Sequence, residues 1–501
     1  MSFPKPSVTM KETTRRTLLA LVPLAVLIGL LALDISIFGA DSILGASQVA
    51  LLVGAGVCAC LSMWLYRVSW KKFEKAIAGN VGDVASAILI LFLIGAISGT
   101  WTMSGVVPAF IYYGIKIISP KVFLLTACVL CAVVSLMTGS SWTTIATVGV
   151  ALMGIGRAEG FPDAMTAGAI ISGAYFGDKI SPLSDTTVMA SSINKVGIFE
   201  HIHYMYLTTI PSFVITLIVF TVLGLTHGGM TEGEMDLYTS TLRATFHISP
   251  WLMIVPAVTV VLILRKMPAV IVLAFSILVA AVAAILFQPD IVRQIGSGIT
   301  EGSAARVFFA GTVEMIYNSV SLDTGVAEVN QLVSSRGMIG MLNTVYLIIC
   351  AMCFGACMRA SGMIGDLTRV LLPLTRTRAG LVGSTVATGS ALNGIVSDQY
   401  LAIILTSNIY RETYEKEGYE GRLLSRSVED SATVTSPLFP WSSCGMTQAT
   451  ILSVPTLAYA PFCFFNILSP LMSFLIGVIG WKIVRKAATE EYPEYKSVNL
   501  F

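Results

Sequence analysis

Four aspartates stand in stretches of this sequence that are otherwise made of glycine, hydroxyl-bearing and apolar residues: Asp178, Asp185, Asp398 and Asp430. A carboxylate kept away from water favours its protonated form, so protons and a small cation compete for it near neutral pH. Oxygen ligands of this kind also suit a hard cation such as sodium. The four aspartates are therefore candidate proton carriers and cation ligands.

Neighbouring charges distinguish the first two aspartates. Asp178 is followed by Lys179, which we expect to hold it ionised as an ion pair. Asp185 has no neighbouring cation in the sequence, so it is the stronger candidate for an exchange site.

Two polar clusters surround these aspartates in the first half of the chain. Residues 139–144, Gly-Ser-Ser-Trp-Thr-Thr, open a segment that is too short and too polar to cross a membrane, which predicts a re-entrant hairpin with a hydroxyl-rich tip. Residues 172–187 interrupt an apolar span with Gly177 and Pro182. Glycine loosens a helix and proline removes a backbone donor, so this segment predicts a broken helix with free carbonyl groups.

The second half of the chain carries a similar pair of clusters. Residues 389–399 predict the matching hairpin tip, and residues 429–443 predict the matching broken helix. A water-exposed loop is the competing interpretation of each cluster, but it predicts no partner at a shared spacing. Three short matches recur in the same order: Ser104-Gly105 with Ser361-Gly362 at a spacing of 257, Thr138-Gly139-Ser140 with Thr388-Gly389-Ser390 at 250, and Ser181-Pro182-Leu183 with Ser436-Pro437-Leu438 at 255.

Composition places these clusters inside a membrane. Of 501 residues, 55% are hydrophobic and 12% are charged, with a mean hydropathy of +0.80, whereas a soluble domain carries about 25% charged residues. Apolar runs do not alternate with polar residues as barrel strands do. They cover 17–33, 46–66, 83–96, 122–137, 210–225, 251–264, 269–287, 341–354 and 457–483. We predict an all-α membrane protein of about 10–12 transmembrane helices.

The distribution of basic residues predicts how the halves enter the membrane. Basic loops remain in the cytoplasm. The leader 1–16 and segment 67–75 are basic, whereas the second half follows an acidic segment, 232–236, and carries Arg265 and Lys266 between its first two runs. We therefore predict two inverted-topology repeats in a bacterial inner membrane, with both termini in the cytoplasm.

The predicted boundaries follow from these patterns. An amphipathic run at 304–320 in the second repeat predicts an interfacial helix and loop, with a gating lid as the alternative. The parts are a leader at 1–16, a first repeat at 17–228, a polar linker at 229–248, a second repeat at 249–487 with an insertion at 289–340 that lacks a counterpart in the first, and a tail at 488–501.

Several of these segments resemble the NhaC family of sodium/proton antiporters, within the ion-transporter superfamily. The resemblance covers nearly the whole chain and is most specific at Gly-Asp-Lys-Ile-Ser-Pro-Leu-Ser-Asp-Thr-Thr; the segments are 139–152, 172–187, 199–202, 324–337 and 391–401. It implies a sodium-coupled antiporter that works by alternating access. Relatives in this family also include exchangers of organic acids such as malate and lactate, and of amino acids.

Two features depart from the family pattern, and both are compatible with an organic anion or an amino acid as the transported solute. Residues 188–192, Val-Met-Ala-Ser-Ser, replace an Asn-Leu-Ala-type continuation. Arg359, at the end of an apolar run, is either a snorkelling anchor or a partner for a substrate carboxylate.

We expect the ion or substrate to be bound by hydroxyl, amide and carboxylate side chains of the four clusters, although any single hydroxyl is an equally good helix cap. The candidates are Ser140, Ser141, Thr143, Asp178, Ser181, Ser184, Asp185, Thr186, Asn393, Asp398, Asp430, Thr433 and Ser436. Sodium is expected at Asp178, Ser184, Asp185, Asn393, Asp398 and Asp430.

The leading hypothesis is a secondary active sodium/proton antiporter, and the alternative is sodium- or proton-coupled exchange of a small organic acid or an amino acid. An intramembrane aspartyl protease fits poorly because Tyr175 stands where a Gly-x-Gly-Asp motif begins, and a channel fits poorly because no pore-lining ring is visible. We therefore expect no enzyme activity and no prosthetic group beyond the coupling ions Na⁺ and H⁺. The expected partners are these ions, a small carboxylate or amino acid and the lipid bilayer. A homodimer is compatible with the sequence, and the net charge of +2 gives no indication of nucleic-acid binding.

Overall fold

The computed structural model describes residues 10–38, 45–226, 232–265, 267–368, 375 and 377–483. Within these residues, β-structure is limited to an isolated bridge between Val320 and Ser335. Seven described helices are long and apolar enough to cross a bilayer, and the number rises to ten if each sharply bent pair counts as one span. The chain is therefore an all-α membrane protein, as predicted, and the upper count of ten spans meets the lower end of the predicted range.

The first half consists of long helices joined to shorter ones that break or re-enter. A π-helical turn, Ile145–Gly149, joins α7 to α8. The helices are α1 (Met10–Phe38), α2 (Ala46–Tyr66), α3 (Trp70–Asp83), α4 (Ala85–Met103), α5 (Val106–Ile117), α6 (Pro120–Thr138), α7 (Ser141–Thr144), α8 (Val150–Ala158), α9 (Asp163–Ile180), α10 (Asp185–Ile193) and α11 (Ile198–Thr226).

The second half follows the same plan after additional helices. A second π-helical turn, Glu429–Thr433, continues from α22. The helices are α12 (Glu232–Thr245), α13 (Ile254–Leu264), α14 (Ala269–Phe287), α15 (Pro289–Ser297), α16 (Ala304–Tyr317), α17 (Ala327–Leu332), α18 (Leu342–Ser361), α19 (Met363–Thr368), α20 (Arg378–Val396), α21 (Gln399–Lys416), α22 (Gly421–Val428), α23 (Ser443–Leu452), α24 (Thr456–Tyr459) and α25 (Phe464–Ile479).

Breaks in the helices occur where the sequence predicted them. α9 ends at Ile180 and α10 begins at Asp185, with Pro182 between them. The π-helical turn that follows α22 is separated from α23 by a non-helical stretch around Pro440. A further break at Gly105 bends α5 away from α4 by 67°.

Backbone conformation shows that the halves repeat with a nearly constant spacing. α9 begins at Asp163 and α22 begins at Gly421, a spacing of 421 − 163 = 258 in residue number. Residues with a left-handed backbone conformation, which end helices, recur at this spacing of 258 residues or at a spacing of 257. The pairs are Gly105 and Gly362 (φ 86° and 82°), Gly139 and Ser397 (67° and 60°), Gly160 and Gly418 (78° and 72°), and Lys195 and Ser453 (57° and 57°).

Side-chain hydrogen bonds repeat at the same spacing. Ser135 Oγ donates to the carbonyl oxygen of Ala174 at 2.6 Å. In the second half, Asn393 Nδ2 donates to the carbonyl oxygen of Ala432 at 2.7 Å, and both partners occupy the repeat-equivalent positions. The duplication predicted from short sequence matches is therefore visible in the contacts that hold each half together.

Two of the three sequence matches are nevertheless wrong in register. Gly139 ends α6, whereas Gly389 lies inside α20, so the Thr-Gly-Ser match pairs different positions. The Ser-Pro-Leu match is displaced by three positions from the structural spacing. Short peptides recur by chance, whereas cap positions are fixed by helix geometry. The Ser-Gly match at α4 and α18 is in register. The inverted orientation remains a prediction from charge.

The helices of one half pack against the broken helix of the other. α2 and α3 lie on α18, while α14 and α16 lie on α4. The insertion at 289–340 thus contains α16 in the position that α3 takes in the first half. One helix of this insertion therefore has an equivalent packing role in the first half, which low sequence similarity concealed.

We predict that Gly173→Ala destabilises the protein. α6 and α9 pack closely, and a Cβ at Gly173 would overlap the backbone carbonyl of Cys128, so one helix must move. Overpacking of this kind costs about 1–3 kcal/mol. Thermal unfolding in detergent measures the effect. The control is Gly56→Ala on α2, where a Cβ meets no atom within 4 Å; equal melting temperatures for the two variants would contradict the packing argument.

Candidate ion-binding site

The Asp178 carboxylate lies at the N-terminal end of α7. Its Oδ2 accepts hydrogen bonds from the Ser141 backbone nitrogen at 3.1 Å and from Ser141 Oγ at 2.7 Å. Ser140 caps the same helix through Thr143, whose nitrogen donates to Ser140 Oγ at 3.2 Å. Asp178 is 6% exposed. A helix N-terminus stabilises negative charge, so α7 holds this carboxylate in place.

Hydroxyl groups from the break after α9 complete the surroundings of Asp178. Ser184 caps α10, and its Oγ lies 3.0 Å from Thr186 Oγ1. Both residues are buried. Ser181 serves the packing instead, because its Oγ donates to the carbonyl oxygen of Leu136 at 2.8 Å. Of the predicted residues here, Ser184 and Thr186 are therefore the ones whose hydroxyls lie together beside Asp178.

The predicted ranking of Asp185 above Asp178 does not fit the structure. Asp185 begins α10 with an exposed side chain, whereas Asp178 is buried. The residues next to each aspartate in the sequence did not predict this difference in burial. The chain breaks between the two, because Asp178 lies near the end of α9 and Asp185 begins α10. Asp185 lies at the open side of the cluster.

Lys179 does not pair with Asp178, contrary to expectation. Its ammonium group contacts Asp430 Oδ1, from the other half of the chain, and donates to Ser469 Oγ at 2.8 Å. Thr208 Oγ1 donates to the same Asp430 oxygen at 2.9 Å. Successive residues on a helix point about 100° apart, because a turn takes about 3.6 residues. Lys179 therefore faces away from the Asp178 site and neutralises Asp430.

This ion pair also bears on the sodium expected at Asp430. Asp430, Lys179, Thr208 and Ser469 are all fully buried. Because an ammonium and two hydroxyl groups already surround Oδ1, that oxygen has no place for a sodium ion in this conformation.

Glu429 is a buried carboxylate that the candidate residues did not include. It is fully buried on the π-helical turn, and neither of its carboxylate oxygens makes a hydrogen bond within the described residues. The hydroxyls of Thr186 and Thr433 lie beside it, and Asp178 and Lys179 lie within electrostatic range. Two adjacent acids in a segment between apolar runs were the signal that could have identified it.

The second-half cluster is the symmetric equivalent of the Asp178 site, but it has a neutral pair of side chains. Ser436 Oγ donates to Gln399 Oε1 at 3.2 Å, and these residues are the repeat equivalents of Asp178 and Ser141. Asp398 is used as a helix cap, because its Oδ1 accepts from the Leu401 nitrogen at 2.9 Å. Asn393 contacts the π-helical turn after α22, because its Nδ2 donates to the carbonyl oxygen of Ala432.

The two clusters nevertheless approach each other. The hydroxyl of Tyr400, at the start of α21, lies within electrostatic range of Asp178, Asp185 and Asp398. The structure therefore brings Asp178, Asp185 and Asp398 near the same tyrosine. Arg359 lies elsewhere, at the end of α18 beside Gly79 of α3, which fits the anchor interpretation.

We predict that Lys179→Met strongly destabilises the protein and that adding Asp430→Leu restores much of the loss. The single change leaves a buried carboxylate without its cation, which costs about 3–5 kcal/mol, whereas replacing both partners removes the uncompensated charge. Thermal unfolding of the two single variants and the double variant measures the coupling. Additive losses would contradict a direct ion pair.

The sequence matches the Na⁺/H⁺ antiporter family over residues 5–192 and 173–481. The malate-2H⁺/Na⁺-lactate antiporter of Bacillus subtilis is 35% identical over 86% of this chain and 89% of that protein. The Na⁺/H⁺ antiporter NhaC of Alkalihalophilus pseudofirmus is 35% identical over 86% of this chain and 90% of that protein. The arginine/ornithine antiporter ArcD of Halobacterium salinarum is 33% identical over 95% of this chain and 94% of that protein.

These matches extend over both halves and agree with the predicted family. Relatives that are this similar over most of both chains share a family even where their solutes differ. The chain belongs to the Na⁺/H⁺ antiporter family and is a multi-pass secondary antiporter.

Proposed function

We propose that this chain exchanges sodium for protons at a site between Asp178 and Glu429. The observation that carries the proposal is that these two buried carboxylates come from opposite halves and face a shared set of hydroxyl groups. Every polar side chain in that set offers oxygen, the ligand type that hard cations bind. Ser141, Ser184, Thr186 and Thr433 would supply the uncharged ligands.

Competition between the two ions follows from burial. Two carboxylates at membrane depth are costly while both are charged. Either a sodium ion or a proton lowers that charge, so each ion displaces the other. Because Lys179 and Asp430 already neutralise one another, they add little net charge to the site. The net charge of the site during transport then depends on whether Asp178 and Glu429 hold sodium ions, protons or neither.

The repeat provides a means of alternating access. Asp178 belongs to α9 of the first half, and Glu429 belongs to the π-helical turn of the second. A movement of one half against the other therefore opens the site towards one side at a time. Asp185, at the open side of the cluster, would meet the ion before Asp178 does. We place the protein in the bacterial inner membrane with both termini in the cytoplasm, on the basis of its loop charges.

We predict sodium-driven alkalinisation of liposomes that contain the purified protein and a pH-sensitive dye. Sodium added outside would enter as protons leave, so the internal pH rises. Asp178→Asn and Glu429→Gln should each reduce the initial rate at least about tenfold, because an effect of about 1.4 kcal/mol is enough for that factor. Asp185→Asn should retain exchange with a weaker apparent sodium affinity.

The matched control is Asp163→Asn, which removes a carboxylate that pairs with Arg157 at the other end of α9. This variant should exchange ions at the wild-type rate. Full activity in Asp178→Asn, or a response to sodium that is identical in protein-free liposomes, would exclude the proposed site.

A further inference from the structure

Arg426 is a fully buried arginine whose side chain makes no hydrogen bond to any residue that the structure describes. None of its three guanidinium nitrogens has a hydrogen-bond partner within the described part of the chain. Its Nε lies 3.8 Å from Asp430 Oδ2, which is also without a hydrogen bond there. The guanidinium carbon lies 4.8 Å from the centre of the Tyr204 ring. The ring supports one face of the guanidinium group and leaves its hydrogen-bonding edge unused.

Such an arrangement is costly without a further partner. A buried donor with no acceptor costs about 1–3 kcal/mol, and more when it is charged. Asp430 does not meet this need, because Lys179, Thr208 and Ser469 orient it through its other oxygen. Within the described residues, the hydrogen-bonding edge of Arg426 is therefore free to bind an acceptor from outside them.

The repeat shows that this arginine is particular to the second half. The equivalent position in the first half is Gly168, where a Cβ would overlap Phe462. That position is closely packed in one half and holds the largest fully buried side chain in the other. Helix packing common to both halves therefore does not account for Arg426.

We propose that Arg426 binds the carboxylate of a small organic solute that is exchanged by the same protein. This inference rests on the proposed cation exchange at Asp178 and Glu429, and it adds a solute class to it. A guanidinium group binds a carboxylate through two parallel hydrogen bonds, which is the geometry that its free edge offers. A lysine at this position would offer only a point charge.

Charge balance favours a group with a single negative charge. With Asp178 occupied by one sodium ion or one proton, Lys179 and Arg426 balance Glu429 and Asp430 when these four are ionised. A bound carboxylate adds one negative charge, which one sodium ion or one proton at Glu429 compensates. A phosphate dianion would need two such ions. Binding of the solute and of the cation would thus support each other.

A second arginine lies between the protein surface and Arg426. Arg422 lies one turn before Arg426 on α22, and its guanidinium lies 5.0 Å from the Tyr204 ring. Its side chain is 28% exposed and pairs with Glu420 and Glu200. The Tyr204 ring thus contacts a half-exposed arginine and a buried one, so a carboxylate passing Arg422 would reach Arg426 along one helix.

The test measures thermal stabilisation of the purified, full-length protein in detergent by acetate, L-lactate, L-malate and L-arginine, each with sodium present. At least one of these carboxylates should raise the melting temperature of the wild type, and the methyl ester of lactate should not. Arg426→Gln should weaken the affinity by about a hundredfold and Arg426→Lys by about tenfold, since a bidentate charged hydrogen bond is lost in full or in part. Arg157→Gln, a control that removes an arginine paired with Asp163 at the other end of α9, should bind within about twofold of the wild type.

Sodium-induced stabilisation, measured on the same variants without solute, separates the two proposals. If Arg426→Gln and Arg426→Lys keep the sodium response and lose the carboxylate response, the assignment is supported. It is overturned if no carboxylate stabilises the wild type, if both variants bind as the wild type does, or if both lose the sodium response as well. Carboxylate binding without sodium-driven pH change would contradict only the proposed cation exchange.

Discussion

Charge that is buried where the two halves meet must be neutralised, and the ion pair of Lys179 with Asp430 is the contact on which that arrangement depends. It joins α9 of the first half to the π-helical turn of the second, and Thr208 and Ser469 fix it from two further helices. Because Lys179 neutralises Asp430, we propose that mobile ions neutralise the neighbouring Glu429 and Asp178. An uncompensated carboxylate in this region would be costly, so occupancy and conformation become linked.

Comparison of the two repeats distinguishes positions that are alike in both halves from charged positions that occur in only one. Symmetric positions carry helix caps and packing contacts, such as Ser184 with Ser442 and Ser135 with Asn393. The charged residues break the symmetry. Asp178, Glu429, Asp430 and Arg426 have as their equivalents Ser436, Ile171, Ser172 and Gly168. A symmetric scaffold permits two related conformations, whereas a single set of charges agrees with the one shared site that we propose.

Helix breaks give this site its polar backbone. α7 directs its N-terminal nitrogen atoms at Asp178, and the break between α9 and α10 presents hydroxyls beside it. In the second half the π-helical turn moves Glu429 and Thr433 into the same region. Continuous helices would satisfy their own backbone groups and would face this region with apolar side chains instead. The irregular segments are therefore where sequence reasoning could find function.

The sequence by itself determined the membrane-embedded helical class, the duplicated plan, the positions of the broken helices and the family, because hydropathy, proline and glycine act locally along the chain. It also identified most residues of the Asp178 cluster, since hydroxyls and aspartates are rare in apolar segments. Only the tertiary structure decided that Lys179 pairs with Asp430, that Asp185 is exposed, and that the side chains of Glu429 and Arg426 are buried without hydrogen bonds to any described residue. Those outcomes depend on which face of a helix contacts the other half of the chain. Lys179 and Asp430 are 251 residues apart, so the residues next to either one in the sequence do not predict their contact.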